Sequence, residues 1–211
     1  MGASLIRVNV DPLAGEDEDV RKTLLTRLNA LDDETRETIH PVLLRWNRAR
    51  FDIELICIVD DLSALDDFLM DVVRSVEGVN NTNCHIMSSG FVFLGGMARA
   101  RMASAAGQAI IGATVDLNVQ PGTDRQVFEQ LYDLTEADDL RKFYVFKDFA
   151  SAHSDMSLSL IGPDQATVDE YVQRFVRSVD GVVDTQTVYT HGWAMLATDE
   201  ELEGLLAPFT P

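Results

Sequence analysis

The stretch VVRSVEGVNNT at residues 72–82 returns as FVRSVDGVVDT at residues 175–185. At an offset of 103 residues, seven of the ten positions from 73 to 82 are identical in the second copy. Apolar residues precede both copies at helical spacing, which predicts an amphipathic helix before each. Gly78 and Gly181 follow these helices, where a glycine can take the left-handed conformation that ends a helix. The chain therefore contains an internal duplication.

Strands are predicted on both sides of each helix. The helices follow DIELICIV and DMSLSLIG and precede VNNTNCHIM and VVDTQTVYT, at residues 52–59, 155–162, 79–87 and 182–190. Upstream, residues 3–12 predict a strand, and Asp19 is expected to cap a helix from Val20 to Leu31. Two more strands are expected, near 41–48 and at 91–96. This order, β-α-β-β-α-β, is that of a ferredoxin-like unit.

The second copy begins near residue 110. Its Asn-Val-x-Pro segment at residues 118–121 matches residues 9–12 at an offset of 109, which predicts a second copy six residues shorter before Asp155. Residues 141–149 alternate as a strand, and Thr198 with Glu201 predicts a capping box that opens a C-terminal helix. The predicted organisation is a first repeat at 1–96, an alanine-rich connector at 97–109 and a second repeat at 110–211.

The composition is strongly acidic. Seventeen basic residues face 35 acidic ones, and the formal net charge is −18. Such a surface repels phosphate backbones and anionic membranes, so we expect no direct binding of nucleic acid or membrane. An acid-rich, lysine-poor chain is typical of a protein from a salty cytoplasm, and also of an acidic protein from a GC-rich genome.

No sequence feature indicates export or a metal site. The N-terminus lacks the pattern of a signal peptide, and no apolar run is long enough to span a membrane, which predicts a cytoplasmic protein. Cys57 and Cys84 are expected to be buried free thiols. No two of the four histidines have metal-ligand spacing, so we predict no metal.

The duplicated segments resemble a known family. An aspartate that opens a strand, a helix, and V-R-S-V-x-G-V-x-x-T running into a strand are similar to the effector-binding RAM domain of Lrp/AsnC (feast/famine) transcription regulators. The resemblance covers residues 3–95 and 110–197. It implies an α+β fold in which two ferredoxin-like βαββαβ repeats pack as an intramolecular pseudo-dimeric α+β barrel. It further implies oligomers that bind amino acids or related molecules near the loop ahead of the aspartate.

The chain departs from that family because no segment before Leu5 is long enough for a helix-turn-helix. The expected function is therefore that of a sensor: a small-molecule, amino-acid-type effector-binding and oligomerisation protein that acts through a separate protein partner. One alternative is an α+β barrel enzyme, either a haem-dependent or cofactor-free monooxygenase or a siroheme-decarboxylase-like protein. The other alternative is a structural assembly protein.

Candidate ligand-binding residues fall in two groups. Two loops pair arginine and aspartate, which suit the carboxylate and ammonium of a zwitterion, and two strands carry hydroxyl or thiol groups on alternate residues. The loop candidates are Arg48, Arg50, Asp52, Ser151, His153, Ser154 and Asp155, and the strand candidates are Thr82, Cys84, Thr185 and Thr187. The alternatives without a ligand are that the aspartates accept hydrogen bonds from backbone amides of the loops and that the threonines reflect β propensity.

The two copies are expected to be unequal, with the ligand site in the second copy because that loop contains His153. No catalytic residue is predicted, since the sequence contains no phosphate loop or nucleophile elbow. No cofactor is predicted either, with haem as the alternative. The expected partners are the effector, further copies of the chain and a protein partner.

Overall fold

The computed structural model describes residues 3–47, 53–105, 110–136, 140–148 and 154–209. The chain forms two compact units, one of Met1–Met87 with His191–Pro208 and one of Ser88–Thr190 with Phe209–Pro211. Helices and long antiparallel strands make up both units. The predicted α+β class is therefore confirmed.

The first unit contains a four-stranded antiparallel arrangement in the order β4–β1–β3–β2. Its elements are β1 (Ser4–Pro12), α1 (Asp17–Asn29), α2 (Asp33–Arg36), β2 (Ile39–Asn47), β3 (Ile53–Val59), α3 (Ser63–Phe68) with a π-helical continuation (Leu69–Arg74), and β4 (Val79–Val92). Alternate residues of β1 and β3 pack with α1 and α3 in one buried apolar core.

The second unit repeats this arrangement in the order β8–β5–β7–β6. The elements that follow β4 along the chain are α4 (Leu94–Ala105), β5 (Ile111–Val119), α5 (Asp124–Asp133), β6 (Arg141–Asp148), β7 (Met156–Gly162), α6 (Gln165–Tyr171) with a π-helical continuation (Val172–Val176), β8 (Val182–Met195), α7 (Asp199–Leu206) and a 3-10 turn (Ala207–Phe209). Of these elements, α7 belongs to the first unit. The apolar core of the second unit is separate from that of the first.

The two longest strands each belong to both units. Strand β4 enters the second unit after Met87, and β8 enters the first unit after Thr190. Just past the end of β8, the Leu196 amide donates to the Val42 carbonyl at 3.0 Å. Each unit is therefore completed by the end of a strand that begins in the other.

The strand register is the same in both units. Val10 lies opposite Thr82, and Leu117 lies opposite Thr185. Because the two threonines are 103 residues apart, Val10 is equivalent to Leu117, at an offset of 107. The offset of 109 predicted from the Asn-Val-x-Pro match is wrong by two residues. A shift of two preserves the in-out alternation of a strand, so the sequence pattern alone could not exclude it.

The two glycines of the duplicated stretch have the predicted backbone conformation. Gly78 has φ +88° and Gly181 has φ +98°, a region that costs free energy for any residue with a Cβ. A Cβ on Gly78 would lie 2.9 Å from Cγ2 of Val20, and one on Gly181 would lie 2.9 Å from Cγ2 of Val127. Glycine at these positions thus allows each helix to end against the first helix of its unit.

Most predicted elements are confirmed, with two corrections. Helix α1 starts at Asp17, not Val20, and Glu16 is its N-cap in place of Asp19. The strand predicted at 79–87 continues without a turn to Val92, and the rest of the strand predicted at 91–96 is wrong because α4 begins at Leu94. Residues 97–105 of the predicted connector are helical. No helix in the described part of the chain is long and apolar enough to cross a membrane.

Candidate functional site

The strands of the first unit carry polar side chains on the face that points away from the helices. Ile6, Val8 and Val10 of β1 pack in the core with the helices, so Arg7 and Asn9 between them point to the opposite side. The strand register extends this arrangement to neighbouring strands. The resulting polar face consists of Arg7, Asn9, Arg45, Glu54, Asn83 and His85.

Four of these residues form one row across four strands. Asn9 lies opposite Asn83 on one side and Glu54 on the other, and Glu54 lies opposite Arg45. In the next row, Arg7 lies directly opposite His85. Residues that face each other across adjacent strands have side chains close enough to interact. The sheet therefore brings together residues that are up to 78 positions apart in sequence.

Five of the six residues of the polar face are buried, and Asn83 is half-buried. The exposed fractions are 2% for Arg7, 3% for Arg45 and His85, 4% for Glu54 and 8% for Asn9. Burying charged and polar groups costs free energy unless they are hydrogen-bonded to one another.

His85 lies at the centre of the hydrogen bonds in this face. Nδ2 of Asn9 and Nδ2 of Asn83 lie 3.1 Å and 3.2 Å from its Nε2. On the other side of the ring, Nη2 of Arg7 lies 3.5 Å from Nδ1. One imidazole is thus held from both nitrogens by a guanidinium and two carboxamides.

Arg45 and Glu54 form a buried ion pair beside this cluster. Nε of Arg45 donates to Oε1 of Glu54 at 2.7 Å, and Nη2 of Arg45 contacts the same oxygen. Their side chains are 4% and 5% exposed. Since Glu54 is also the cross-strand neighbour of Asn9, the ion pair lies next to one of the residues that contact His85.

The second unit has other residues at all six equivalent positions. Following the common register, Thr114, Asp116, Phe146, Ser157, Gln186 and Val188 stand where the first unit has Arg7, Asn9, Arg45, Glu54, Asn83 and His85. In this unit Ser157 donates to Oδ1 of Asp116 at 2.8 Å. The second unit therefore keeps the scaffold and lacks the histidine and both arginines.

The strand candidates from the sequence lie on the other face. Thr82 accepts from Nε of Arg74 at 2.6 Å, and Thr185 accepts from Nε of Arg177 at 2.7 Å. These contacts connect each strand to its own helix. Cys84 is half-buried against the first core, and burial raises its pKa to about 11. Their predicted ligand contacts stay predictions.

The loop candidates are only partly described. Asp155 accepts from the amide of Val119 at 2.8 Å, which matches the alternative that it anchors backbone. Ser154 is buried, and Thr187 is half-buried on β8. Arg48, Arg50, Asp52, Ser151 and His153 lie outside the described residues, so the pairing of the two loops stays a prediction.

A surface cleft also lies within the first unit, between β2 and α7. Its volume is about 350 Å³, and it is lined by Arg36, His40, Pro41, Ala197, Glu200, Glu201, Gly204 and Leu205. Its polar groups have structural roles: Arg36 donates to the carbonyls of Leu28 and Leu31, and His40 contacts Asp60 at 3.0 Å. In the ranges that the structure describes, no three His, Cys, Asp or Glu side chains are placed to bind a metal ion.

Sequence reasoning missed the polar face because its evidence depends on strand pairing. The alternation of Arg7 and Asn9 with apolar residues was visible, but that pattern usually indicates a solvated face. Nothing local indicated that His85 would lie opposite Arg7.

Comparisons with known proteins concern the fold. No protein-family model and no curated protein matches the chain. An anthrone oxidase-like protein matches with a TM-score of 0.59 at 8% identity, over 93% of this chain and 94% of its own. A siroheme decarboxylase matches with 0.58 at 8% identity, over 98% and 78%. A mutant chlorite dismutase from Candidatus Nitrospira defluvii matches with 0.54 at 10% identity, over 99% and 95%.

These matches overturn the family expected from the sequence. The similar structures are α+β barrel-like proteins named for enzymes, so the resemblance to Lrp/AsnC RAM domains and the sensor and transcription-regulator function drawn from it are wrong. The physical reason is that the shared motif builds scaffold: Arg74 holds Thr82, and Gly78 ends the helix. Such residues report a fold and not a function.

Proposed function

We propose that this chain is an α+β barrel enzyme whose reaction centre is the polar face of the first unit. The proposal depends on one observation, the buried imidazole of His85 held by Arg7, Asn9 and Asn83. The second unit is built in the same register with Thr114 and Val188 in place of Arg7 and His85. The scaffold therefore does not need these groups, and their burial has to be explained by function.

The chemistry that suits this centre is the stabilisation of negative charge on an oxygen atom. Arg7 is a permanent cation, and the two carboxamides and the imidazole are hydrogen-bond donors in fixed positions. In a site shielded from water, such donors stabilise an oxyanion far more than they would in solvent. The reaction class is therefore one in which a neutral ketone becomes an enolate.

We take an anthrone-type aromatic ketone as the substrate class, since one similar structure is named as an anthrone oxidase-like protein. An anthrone loses a proton from its ring CH₂ to give an enolate. The enolate takes up dioxygen, the peroxide anion that forms takes back a proton, and loss of water from this hydroperoxide leaves the anthraquinone. The substrate anion itself supplies the electrons, so this route requires no cofactor.

The haem-dependent alternative fits the described residues less well. A haem iron needs a ligand such as an available histidine nitrogen. Both ring nitrogens of His85 contact other side chains, Nε2 of His40 contacts Asp60, and His191 is exposed on β8. The histidine of the polar face is thus engaged through both ring nitrogens, and we assign no step to a haem.

The test is oxidation of 1,8-dihydroxyanthrone in air-saturated buffer. The reaction is measured through the absorbance of the anthraquinone and through oxygen uptake. We expect a rate above the spontaneous one, and a decrease of about 100-fold or more in His85→Gln, the loss typical when one oxyanion donor is removed. The matched control is Val188→Gln, which places the same residue at the equivalent position of the second unit and should leave the rate unchanged.

Equal rates in the wild type and His85→Gln would contradict the proposed centre. Activity lost only in His153→Ala would instead support the second-copy site expected from the sequence. Titration with haem supplies the remaining comparison: a saturable spectral shift at one haem per chain would favour the haem-dependent alternative.

We also propose that the repeats at 1–96 and 110–211 pack as an intramolecular pseudo-dimer and that the chain forms homo-oligomers. The equal strand order and register of the two units support the first part. Light scattering of the intact chain measures the second, and a monomer at all concentrations would contradict it.

A further inference from the structure

Arg7 and His85 are paired by the sheet itself. They are direct cross-strand partners on β1 and β4, and their exposed fractions are 2% and 3%. Nη2 of Arg7 lies 3.5 Å from Nδ1 of His85. The buried strands fix this approach, so the guanidinium faces one particular nitrogen of the ring.

A guanidinium carries five N–H donors and no acceptor, and it keeps its proton at any pH at which a protein is folded. The nitrogen that faces it must therefore present a lone pair. A neutral imidazole has one nitrogen with a lone pair and one with a proton. When Nδ1 supplies the lone pair, the proton is on Nε2.

The groups around Nε2 can accept that proton in a hydrogen bond. Asn9 and Asn83 are placed with their side-chain nitrogens Nδ2 at 3.1 Å and 3.2 Å from Nε2, so an asparagine accepts the Nε2 proton once its amide has turned over. A carboxamide has an acceptor oxygen and a donor nitrogen, and a half-turn about its terminal bond exchanges them. An asparagine can thus adapt to a protonated Nε2, whereas the arginine cannot adapt to a protonated Nδ1.

We propose that Arg7 is a positioning residue that fixes His85 in the neutral form with its proton on Nε2. In that form His85 is a hydrogen-bond donor on the side of Asn9 and Asn83. The catalytic role of this tautomer rests on the proposed function, in which a substrate oxygen replaces one carboxamide and accepts a hydrogen bond from the Nε2–H of His85. The second unit has Thr114 opposite Val188, so both members of the pair are absent there.

The experiment is nitrogen NMR of the full chain with ¹⁵N-labelled histidine at about pH 8, where exposed histidines are neutral. The chain has four histidines, and the signals lost in His85→Gln assign the ring. Nε2 couples to both carbon-bound ring protons and Nδ1 strongly to one, which identifies each nitrogen. We expect a protonated Nε2 and an unprotonated Nδ1, without the averaging that exchange between tautomers produces.

Arg7→Gln should release this selection, because a glutamine side chain can accept as well as donate. The ring should then show averaged shifts or the form protonated on Nδ1. Arg7→Lys, which keeps a donor-only cation, should retain the wild-type pattern, and it serves if Arg7→Gln does not fold. The control Arg74→Gln removes the same charge from a side chain that contacts Thr82, and it should leave the nitrogen signals of His85 unchanged.

A proton on Nδ1 or an averaged ring in the wild type would overturn the inference. An unchanged ring in Arg7→Gln, or a proton on Nδ1 in Arg7→Lys, would do so as well. The measurement needs no substrate, so an inactive protein in the anthrone assay would contradict the proposed function and leave this inference standing.

Discussion

Arg45 and Glu54 illustrate how two buried charges stabilise each other. Two nitrogens of Arg45 contact Oε1 of Glu54, and both side chains are at least 95% buried. Removing two ions from water costs several kcal/mol each, and mutual attraction and hydrogen bonds offset that cost. Loss of either residue removes that attraction while the other stays buried.

We predict that Glu54→Gln lowers the free energy of unfolding by about 3–5 kcal/mol, because Arg45 would remain buried without its carboxylate. Replacement of both residues, as in Arg45→Met with Glu54→Leu, should cost less than the single change. Urea denaturation of the three proteins measures the difference. A double variant that is less stable than Glu54→Gln would show that the ion pair is a net stabilising contact.

At the scale of the element, the duplicated stretch builds the same junction twice. A π-helical segment ends at Arg74 in one unit and directly before Arg177 in the other, and each arginine donates through Nε to a threonine eight residues later. The contact connects the end of the helix to the strand that follows the glycine. The same junction in both units explains the sequence identity between them.

We predict that Arg74→Ala and Arg177→Ala each lower the free energy of unfolding by about 0.5–1.5 kcal/mol, the range for one hydrogen bond. Because the two contacts lie in separate units, the double variant should lose the sum of the two. Thermal or urea denaturation of the single and double variants tests this. A loss confined to one repeat would mean that the two junctions are not equivalent.

Two helix N-caps give the molecule a defined response to acid. Oδ1 of Asp32 accepts from the Thr35 amide, and Oδ1 of Asp164 accepts from the Thr167 amide, each at 2.8 Å. These backbone hydrogen bonds lower the pKa of both carboxyl groups below the usual value. A carboxyl with a lower pKa in the folded state adds stability above its unfolded pKa. That stability is lost as the pH falls through the folded pKa.

The double variant Asp32→Asn with Asp164→Asn should therefore lose less stability than the wild type between about pH 5 and about pH 2, since asparagine caps a helix without titrating. Thermal melting at a series of pH values measures the two slopes. At neutral pH the variant should melt close to the wild type. Equal slopes on the acid side would show that these caps do not contribute.

The sequence was sufficient to predict most helices and strands. It was not sufficient to predict the side-chain contacts that strand pairing creates. Gly78 and Gly181, the strand near 41–48 and the capping box of Thr198 with Glu201 were all predicted from local chemistry and are confirmed. The register of β1 was not, because a strand shifted by two residues keeps its pattern. The polar face depends on that register, so it could not be predicted before the pairing was known.

At the scale of the whole molecule, the net charge of −18 is the source of the dominant long-range interaction, which is electrostatic repulsion. Like charges on one surface repel and destabilise the compact state. Added salt shortens the Debye length from about 10 Å at 0.1 M to about 3 Å at 1 M, which screens that repulsion.

We predict that the melting temperature rises between about 0.1 M and 1 M KCl because of this screening. Differential scanning fluorimetry measures the change, and sucrose at matched osmolality is the control for effects that do not depend on charge. A melting temperature that is independent of KCl would show that the acidic groups are placed without mutual repulsion.

The exchange of strand ends between units has a consequence for synthesis on the ribosome. The first unit contains residues His191–Pro208, which are made after everything else in that unit. Until they emerge, β2 has no neighbour on the side that β8 occupies in the finished protein. An unpaired strand edge is a template for another chain. Copies of the chain that are synthesised on the same messenger RNA are therefore exposed to strand exchange with one another. Rapid completion of each chain shortens this exposure.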